Sequence, residues 1–536
     1  MSFVTNEYQQ LSLFNSFGFL SPRKQRIIEN SWAKPFSDYI FSNIDEMIFA
    51  PLYSEKTNSR PNAPVNVIVG ALILKEFNHL SDDDILEECE CDFRYQYALH
   101  TTSFENQPIS DRTFSRFRER VAAYELVTGE DLIHTCITKL ADNIAKFMEI
   151  EPDIKRMDSM MIESNIKTMS RLELLYTCLS NLVKTIDRDG NTDIIKGLEN
   201  YCDPNNRNKV VYYERQTPQS ERIQKVINDA TNLLPKCKEL YEENTDYQLL
   251  VRAINEQTKD DNDNPGSRIL KTSEDGMGAD VLQNPSDPDA TFRVKANKQH
   301  RGYVANLVET VNAKGSVVTD YQYDVNTRSD ISFIKEIIED SEVSEEAVAF
   351  ITDGAYNTQE IQELAAEKNI GVLSTGLIGR KGNPILTEFS VDDNTNTITL
   401  CPEGHTPKSS SYIKQSNSIR ASFHCEQCEN CPRFDECKPA MKKRTAVKIL
   451  SLNARQNLID ANAILNEEER KLIGRIRNGA ETVPSIIRNK YGVDKMPVRG
   501  KLKTKFFFGF KVAALNFSKM LRFIKGKEKC RAFYPA

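Results

Sequence analysis

Two aspartates in this chain each stand within or near the end of a short apolar run. Asp158 is set into the run 154–162, and Asp353 lies near the end of the run 347–356. Both runs have the length and apolar content of buried strands. A carboxylate in such a place is costly unless it is paired, hydrogen-bonded or bound to a metal. The two acids together therefore suggest a site for a divalent cation.

The cysteines are a second group of residues with a chemical use. Five of the twelve lie between positions 401 and 437. In a reducing compartment such a cluster is typical of metal binding rather than of disulfides. Two-residue spacings suit tetrahedral zinc, which needs four ligands, so one cysteine is spare or His405 enters the count. We predict structural zinc, with an iron–sulfur cluster or free thiols as alternatives. The candidate ligands are Cys401, Cys425, Cys428, Cys431 and Cys437.

Length and composition indicate a soluble globular chain of two or more domains. The chain has 536 residues, of which 27% are charged and 39% hydrophobic, which is ordinary for such proteins. The longest apolar run, 67–74, is too short to span a bilayer. The first ten residues lack the basic start and apolar core of a signal peptide. We therefore expect a cytoplasmic protein that does not enter a membrane.

The charge is distributed unevenly along the chain. Residues 438–536 hold 24 Lys or Arg and 7 Asp or Glu, a local net charge of +17 in a chain whose total is −7. A basic segment on an acidic protein indicates a polyanionic partner. The alternative is a solvated basic helix surface.

The first part of the chain has helical periodicity. Ser81 begins a capping-box-like sequence, and Ser110 precedes a helix with arginines on several sides. A helix, a turn and a basic helix are compatible with a helix-turn-helix DNA reader and equally with an ordinary helical bundle. The predicted helices cover residues 65–77, 84–91, 113–126 and 131–148.

Strand and helix signals alternate after residue 150, which predicts a mixed sheet flanked by helices and an α/β fold. Residues 165–268 are read as a helical insertion with flexible ends, polar and charge-rich from about 187 to 266. Residues 380–440 are read as loop-rich, and the chain after 454 as helical and basic. The predicted elements are a hairpin of 301–310 and 316–323 around a turn at 312–315, helices at 330–338 and 358–368, and a strand at 370–374.

Several short segments carry a family resemblance. They are Met157-Asp158-Ser159, Asp287-Pro288-Asp289-Ala290 with Gly302-Tyr303 downstream, Thr352-Asp353-Gly354-Ala355-Tyr356, and the segment around Glu481. Over most of its length the chain resembles the bacterial insertion-sequence DDE transposases. The likeness is greatest to the subgroup with a cysteine cluster between the second acid and the glutamate.

The resemblance implies an RNase H-like mixed sheet flanked by helices. It also implies a helical N-terminal DNA-associated domain, a helical insertion and a small Cys-rich zinc-binding insertion. The expected boundaries are 1–150 for the N-terminal domain, 151–375 plus 454–524 for the catalytic core, 165–268 for the helical insertion and 380–440 for the Cys-rich insertion.

Glu481 is the candidate third acid. The family pattern of Arg, three residues, Glu, six residues and Lys or Arg matches Arg477, Glu481 and Arg488. At about 100° per residue these three lie on one face of a continuous helix. Pro484 departs from this pattern, because proline is a poor helix-interior residue unless the helix begins close to it. The alternative acids are Glu467, Glu468 and Glu469.

The resemblance implies cleavage and joining of DNA by two Mg²⁺ ions roughly 3.5–4 Å apart, for which Mn²⁺ substitutes. Asp158 is then expected to bridge the ions, while Asp353 and Glu481 each hold one. Hydrolysis would expose a 3′-hydroxyl that attacks target DNA. The implied partners are double-stranded DNA, as terminal inverted repeats and as target, and further copies of the chain in a dimer or larger assembly on DNA.

Basic residues near these segments are candidates for phosphate contacts, which make DNA binding salt-dependent. The turn at Asp287 and Asp289 is expected to place Arg293, Lys295 and Lys298 near DNA, with direct metal binding by these acids as the alternative. His300 and Arg301 are expected either to touch phosphate or to be exposed. The candidate DNA-binding residues are Arg477, Arg488, Lys295, Lys298, Arg301, Lys501, Lys503 and Lys505.

Two other functions compete with the leading interpretation. A catalytically silent DNA-binding protein derived from a transposase could keep these motifs, and Pro484 is the feature that favours it. An RNase H-like nuclease without strand transfer would give only nicks, whereas a transposase also gives joined products.

Overall fold

The computed structural model describes most of the chain. The described residues are 1–6, 16–54, 59–102, 109–214, 216–272, 274–295, 297–343, 345–356, 358–375, 383–392, 394–452, 454–456, 458–459 and 467–533.

The N-terminal part is helical, as predicted. One helix, α3, has buried residues on nearly every side, because its sequence is apolar almost throughout. The predicted capping box is confirmed: Ser81 Oγ accepts from the Asp84 backbone N–H, and the Asp84 side chain accepts from the Ser81 N–H. The helices are α1 Pro22–Glu29, α2 Ala33–Tyr39, α3 Val65–Asn78, α4 Asp82–Cys91, α5 Phe93–Ala98, α6 Asp111–Thr128 and α7 Leu132–Phe147.

A mixed sheet forms the centre of the molecule and confirms the predicted α/β class. Within the described residues its strands run in the order β4-β5-β1-β7-β8, with β6 paired to β5. The pairs β1–β7 and β7–β8 are parallel, and the others are antiparallel. The predicted hairpin is confirmed as β5 and β6. The strands are β1 Ile154–Glu163, β4 Thr291–Lys295, β5 Lys298–Asn312, β6 Gly315–Val325, β7 Val348–Asp353 and β8 Ile370–Thr375.

Helices cover both faces of this sheet. Helices α12 (Asp330–Asp340) and α13 (Gln359–Glu367) pack on one face in a core that includes Met157. The other face packs against the N-terminal helices in a core that includes Met160 and Ile162. Because side chains alternate along a strand, Asp158 belongs to this second face.

The segment between β1 and β4 is largely helical and has a hydrophobic core of its own. The interpretation of residues 187–266 as polar and charge-rich missed α11. Polar residues make up most of the sequence of α11, but Tyr247, Leu250 and Ile254 recur at helical spacing and are buried. The elements here are α8 Arg171–Arg188, α9 Pro204–Asn208, α10 Gln219–Tyr241, α11 Thr245–Gln257, β2 Thr258–Asp260 and β3 Arg268–Leu270.

The cysteine-bearing segment is more ordered than its loop-rich sequence predicts. Short strands in the order β11-β12-β14-β13 form a small antiparallel sheet. Serine-rich strands such as β11 have loop-like composition, so their pairing was not foreseen. The elements are β9 Ser390–Asp392, β10 Thr397–Leu400, β11 Ser409–Ile413, β12 Ser418–His424, α14 Cys425–Glu429, α15 Phe434–Cys437, β13 Ala440–Met441 and β14 Thr445–Ser451.

The C-terminal part is helical, as predicted, and consists of α16 Glu467–Ala480, α17 Thr482–Tyr491 and α18 Lys501–Phe533. Helix α18 shares one hydrophobic core with the N-terminal helices. The Phe36 and Phe517 rings, for example, lie 5.2 Å apart. None of the described helices has both the length and the apolarity needed to cross a membrane.

The helix-turn-helix alternative is not favoured by the packing of α6. Its Arg118 binds both carboxylate oxygens of Asp82, at 2.5 and 2.8 Å. The same guanidinium lies 5.0 Å from the centre of the Phe507 ring in α18. Arg118 therefore joins α6 to α4 and α18, which is the arrangement of a helical bundle.

Candidate active site

The pairing of β1 with β7 brings Asp158 and Asp353 side by side. These strands are parallel, with Arg156 opposite Ile351. Asp158 follows Arg156 by two residues, and Asp353 follows Ile351 by two residues. Parallel strands lie about 4.8 Å apart, so Asp353, the last residue of β7, is a neighbour of Asp158 in the middle of β1. The local pattern of apolar runs interrupted by one acid thus produces a carboxylate pair.

Arg477 from α16 lies over this pair. Its Nη2 is 3.7 Å from Oδ1 of Asp158 and 4.0 Å from Oδ2 of Asp353. The Arg477 side chain is 11% exposed, against 18% for Asp158 and 31% for Asp353. Its Nη1 is buried without a hydrogen-bond partner. The guanidinium therefore compensates both carboxylates loosely and retains unused hydrogen-bonding capacity.

The electrostatic environment of Asp158 opposes its ionisation. Burial raises the pKa of Asp158 to about 6, and the neighbouring charge of Asp353 acts in the same direction. Arg477 and Lys295 lower this pKa, but they do not outweigh the burial. A carboxyl group whose charge is costly in the free protein gains the most from a bound cation.

Glu481 lies at the junction of two helices and is exposed. The helix-face argument for Arg477, Glu481 and Arg488 is wrong, because α16 ends at Ala480 and α17 begins at Thr482. Pro484 falls in the first turn of α17, where its missing N–H costs no helical hydrogen bond. Across the described part of the chain, no three His, Cys, Asp or Glu side chains are grouped as metal ligands. The alternatives Glu467, Glu468 and Glu469 have side chains outside the described part.

Some of the candidate phosphate-binding residues are engaged in contacts within the protein. Arg488 binds Asp494 at 2.8 Å and the Met161 carbonyl oxygen. Lys505 binds Glu125 and Asp131, at 2.7 and 2.8 Å. Lys501 pairs with Asp324. These three contacts hold elements of the protein together, which does not favour a role in phosphate binding.

Other candidates remain accessible. Lys295 and Lys298 are exposed at the tip of the β4–β5 hairpin, and Lys503 is exposed on α18. Lys295 lies close enough to Asp158 to lower its pKa. Arg301 stacks on the Phe292 ring, with its guanidinium carbon 5.0 Å from the ring centre. The hairpin tip therefore presents positive charge beside the carboxylate pair.

Asp287 is fully buried and has a structural role that its motif does not reveal. Its carboxylate accepts hydrogen bonds from Tyr303 Oη at 2.6 Å and from the Gly500 N–H at 3.1 Å. Ser164 donates a third hydrogen bond. Asp287 thus links the end of β1, β5 and the start of α18. This arrangement does not favour direct metal binding by Asp287.

The cysteine cluster converges in space. Together with Phe389 and Phe423, four of the thiols line one pocket. Burial, followed by the charges of the neighbouring cysteines, raises the pKa of Cys428 to about 11. Cys425 is turned aside, and its Sγ donates to Glu429 at 3.1 Å. Although these thiols are close, they do not adopt the spacing of metal ligands within the described residues. The four cysteines of the pocket are Cys401, Cys428, Cys431 and Cys437.

Two comparisons with protein families bear on this site. Residues 400–521 match the family described as Transposase DDE domain, and residues 23–120 match the Transposase domain (DUF772). The two matches support the resemblance to the insertion-sequence DDE transposases. The first match covers the cysteine cluster, Arg477 and Glu481, and the second covers helices of the N-terminal bundle. No curated protein and no solved structure matches this chain.

Proposed function

We propose that this transposase cleaves and joins DNA phosphodiesters by two-metal-ion catalysis and thereby moves an insertion sequence. The observation that carries the proposal is the Asp158–Asp353 pair on adjacent parallel strands, with Arg477 above it. Asp158 lies on β1, the first strand of the central sheet, and Asp353 lies on β7, its parallel neighbour. This arrangement supports an RNase H-like core.

The residues at this position fit divalent cations. Mg²⁺ prefers a few carboxylates completed by water and substrate oxygens, and the pair offers two carboxylates in a half-buried place. Glu481 stays the proposed third ligand. Bound divalent cations would supply Lewis-acid activation of the attacking hydroxyl and charge neutralisation at the phosphate. Mn²⁺, which also takes oxygen ligands, is proposed as a substitute.

The chain's own cations would hold the DNA. Arg477 lies over the carboxylate pair and would donate to a phosphate oxygen held there. Lys295 and Lys298 would contact the backbone on the hairpin side, and Lys503 is a further candidate on α18. The proposed partners are the terminal inverted repeats and the target DNA. Because two ends must be joined, we propose at least a dimer on DNA.

Incubation with a supercoiled plasmid that carries the element's ends, in Mg²⁺ or Mn²⁺, tests this function. Cuts at the ends followed by joined products support a transposase. Nicks without joined products would indicate a nuclease. Specific binding without any cleavage would indicate a silent DNA-binding protein and would contradict the proposal.

The raised pKa of Asp158 predicts pH-dependent metal binding. A ligand must be deprotonated to bind, so we expect Mn²⁺ affinity to fall by about tenfold per pH unit below the pKa of about 6. In the metal-free protein the carboxyl of Asp158 binds a proton more tightly in the folded state than in the unfolded state. Protonated Asp158 therefore contributes to the free energy of unfolding below pH 3.8, and this contribution is lost as the pH rises to about 6. Calorimetric titration with Mn²⁺ between pH 5 and 8 measures the affinity.

Arg477→Gln is the matched variant for this titration. It removes the guanidinium that lowers the pKa of Asp158, so the midpoint of the pH dependence should move to higher pH. Mn²⁺ binding that is constant from pH 5 to pH 7 would contradict the assignment of Asp158 as a ligand.

We also propose that the cysteine pocket holds structural zinc through Cys401, Cys428, Cys431 and Cys437, with Cys425 as the spare cysteine. The four thiols line one pocket, while Cys425 faces Glu429. Zinc would deprotonate the thiols and tie the β12–β14 sheet to α14 and α15.

Cys428→Ser is expected to abolish bound zinc and to expose residues 383–452 to proteolysis, because zinc needs its full set of four ligands. Cys425→Ser is the matched control and should keep its zinc and its protease resistance. Elemental analysis of the purified full chain gives the zinc content. Equal zinc in both variants, or its loss from Cys425→Ser alone, would contradict the assignment.

A further inference from the structure

The side chain of Arg156 connects the strand that carries Asp158 to the helix that carries Arg477. Its Nη1 donates to the carbonyl oxygen of Ile476 at 3.0 Å. Arg156 precedes Asp158 by two residues and therefore shares its face of the sheet. Ile476 is adjacent to Arg477 in α16. One guanidinium therefore bridges the two parts of the candidate active site.

Arg156 is itself held in place by a buried ionic cluster. Its Nε lies 2.6 Å from Oε2 of Glu309, the residue opposite it on β5. Lys519 of α18 binds the other Glu309 oxygen, which also accepts from Ser316 Oγ at 2.9 Å. Burial raises the pKa of Glu309, but Lys519 and Arg156 outweigh it and hold that pKa below its ordinary value. Glu309 therefore stays ionised and anchors the guanidinium.

Gly479 leaves the space that this guanidinium occupies. A Cβ at this position would overlap Nη1 of Arg156 and would lie 3.0 Å from Cζ and 3.3 Å from Nη2. Because the guanidinium is bound on both sides, it cannot retreat without losing Glu309 or Ile476. Gly474, in the same helix, would place a Cβ in open space, with no atom of the described residues within 4 Å.

We propose that Arg156 is a positioning residue that seats α16 on β1 and so places Arg477 at the Asp158–Asp353 pair, with Gly479 required to admit its guanidinium. This inference rests on the proposed function only for its effect on DNA cleavage. The seating itself is a property of the protein without metal or DNA.

Gly479→Ala and Gly474→Ala form a matched pair in one helix. Both remove a glycine from α16, which favours the helix, but only the first meets Arg156. Amide hydrogen exchange on the metal-free, DNA-free full chain should be at least about tenfold faster in α16 for Gly479→Ala, with the sheet unchanged. Gly474→Ala should exchange like the wild type. End cleavage should fall by at least about tenfold in Gly479→Ala alone.

The variant Arg156→Lys tests whether the effect of Gly479→Ala comes from its overlap with the Arg156 guanidinium. Lysine lacks the planar group that the new methyl would overlap, so adding Gly479→Ala to the Arg156→Lys variant should cost less than about threefold in cleavage. If amide exchange in α16 is unchanged in Gly479→Ala, Arg156 does not hold α16 on β1. If exchange is faster but cleavage equals that of the wild type, the packing of α16 does not position Arg477 for catalysis. If the wild type does not cleave DNA, the proposed function fails, and the exchange comparison alone decides the inference.

Discussion

Asp353→Asn is expected to lower the rate of DNA cleavage by about a thousandfold or more while leaving DNA binding intact. The substitution keeps the size of the side chain but removes the charge that would hold a divalent cation. Loss of several kcal/mol of transition-state stabilisation by the metal corresponds to about this factor. Asp158→Asn should have an equal or larger effect, because this acid is the proposed bridge between two ions. Cleavage of end-bearing plasmid and gel-shift binding to the same DNA measure the two properties.

Asp340→Asn is the control for this pair. Asp340 is exposed at the end of α12, so its substitution should leave cleavage within about threefold of the wild type. Cleavage by Asp353→Asn at near the wild-type rate would show that the pair is not catalytic. Loss of DNA binding together with cleavage would instead assign the acid a structural role.

Lys519→Met is expected to lower the free energy of unfolding by about 2 kcal/mol, since it removes a charge-assisted hydrogen bond from the buried Glu309 carboxylate. Glu309 is 3% exposed and would retain only Arg156 as a cationic partner. The pKa of Lys519 is lowered by its burial, although Glu309 opposes the change. Denaturant unfolding of the full chain, followed by circular dichroism, measures the effect.

Lys503→Met is the matched control for this substitution. Lys503 lies on the same helix and is exposed, so the same change should alter the unfolding free energy by less than about 0.5 kcal/mol. Equal stability of the two variants would contradict the view that the Arg156–Glu309–Lys519 cluster holds the core together.

The carboxylate pair was accessible from the sequence because its signal is local. Asp158 and Asp353 each interrupt an apolar run, and both runs form strands, with Asp158 inside β1 and Asp353 at the end of β7. The hairpin of β5 and β6 and the helices α12 and α13 were also predicted, since each has its own periodicity. The parallel pairing of β7 with its neighbours β1 and β8 agrees with the alternation of strands and helices along the chain.

Long-range contacts were not accessible in the same way. Arg156, Glu309 and Lys519 come from three distant segments, and no spacing links them before the chain folds. Arg477, Glu481 and Arg488 do not share one helix face, because a new helix begins at Thr482. The apolar pattern of the sequence does not mark this local change. The strands around the cysteines were missed because their serine-rich composition is that of loops.

The variant Asp353→Cys tests whether Asp353 binds a metal at the reacting phosphate. A thiolate is a soft ligand that Mg²⁺ accepts poorly and Mn²⁺ tolerates better. We predict that Asp353→Cys does not cleave end-bearing plasmid in Mg²⁺ and recovers cleavage in Mn²⁺, while Asp353→Ser remains inactive in both. Equal activity of the Cys and Ser variants in Mn²⁺, or full activity of Asp353→Cys in Mg²⁺, would contradict metal binding by this residue.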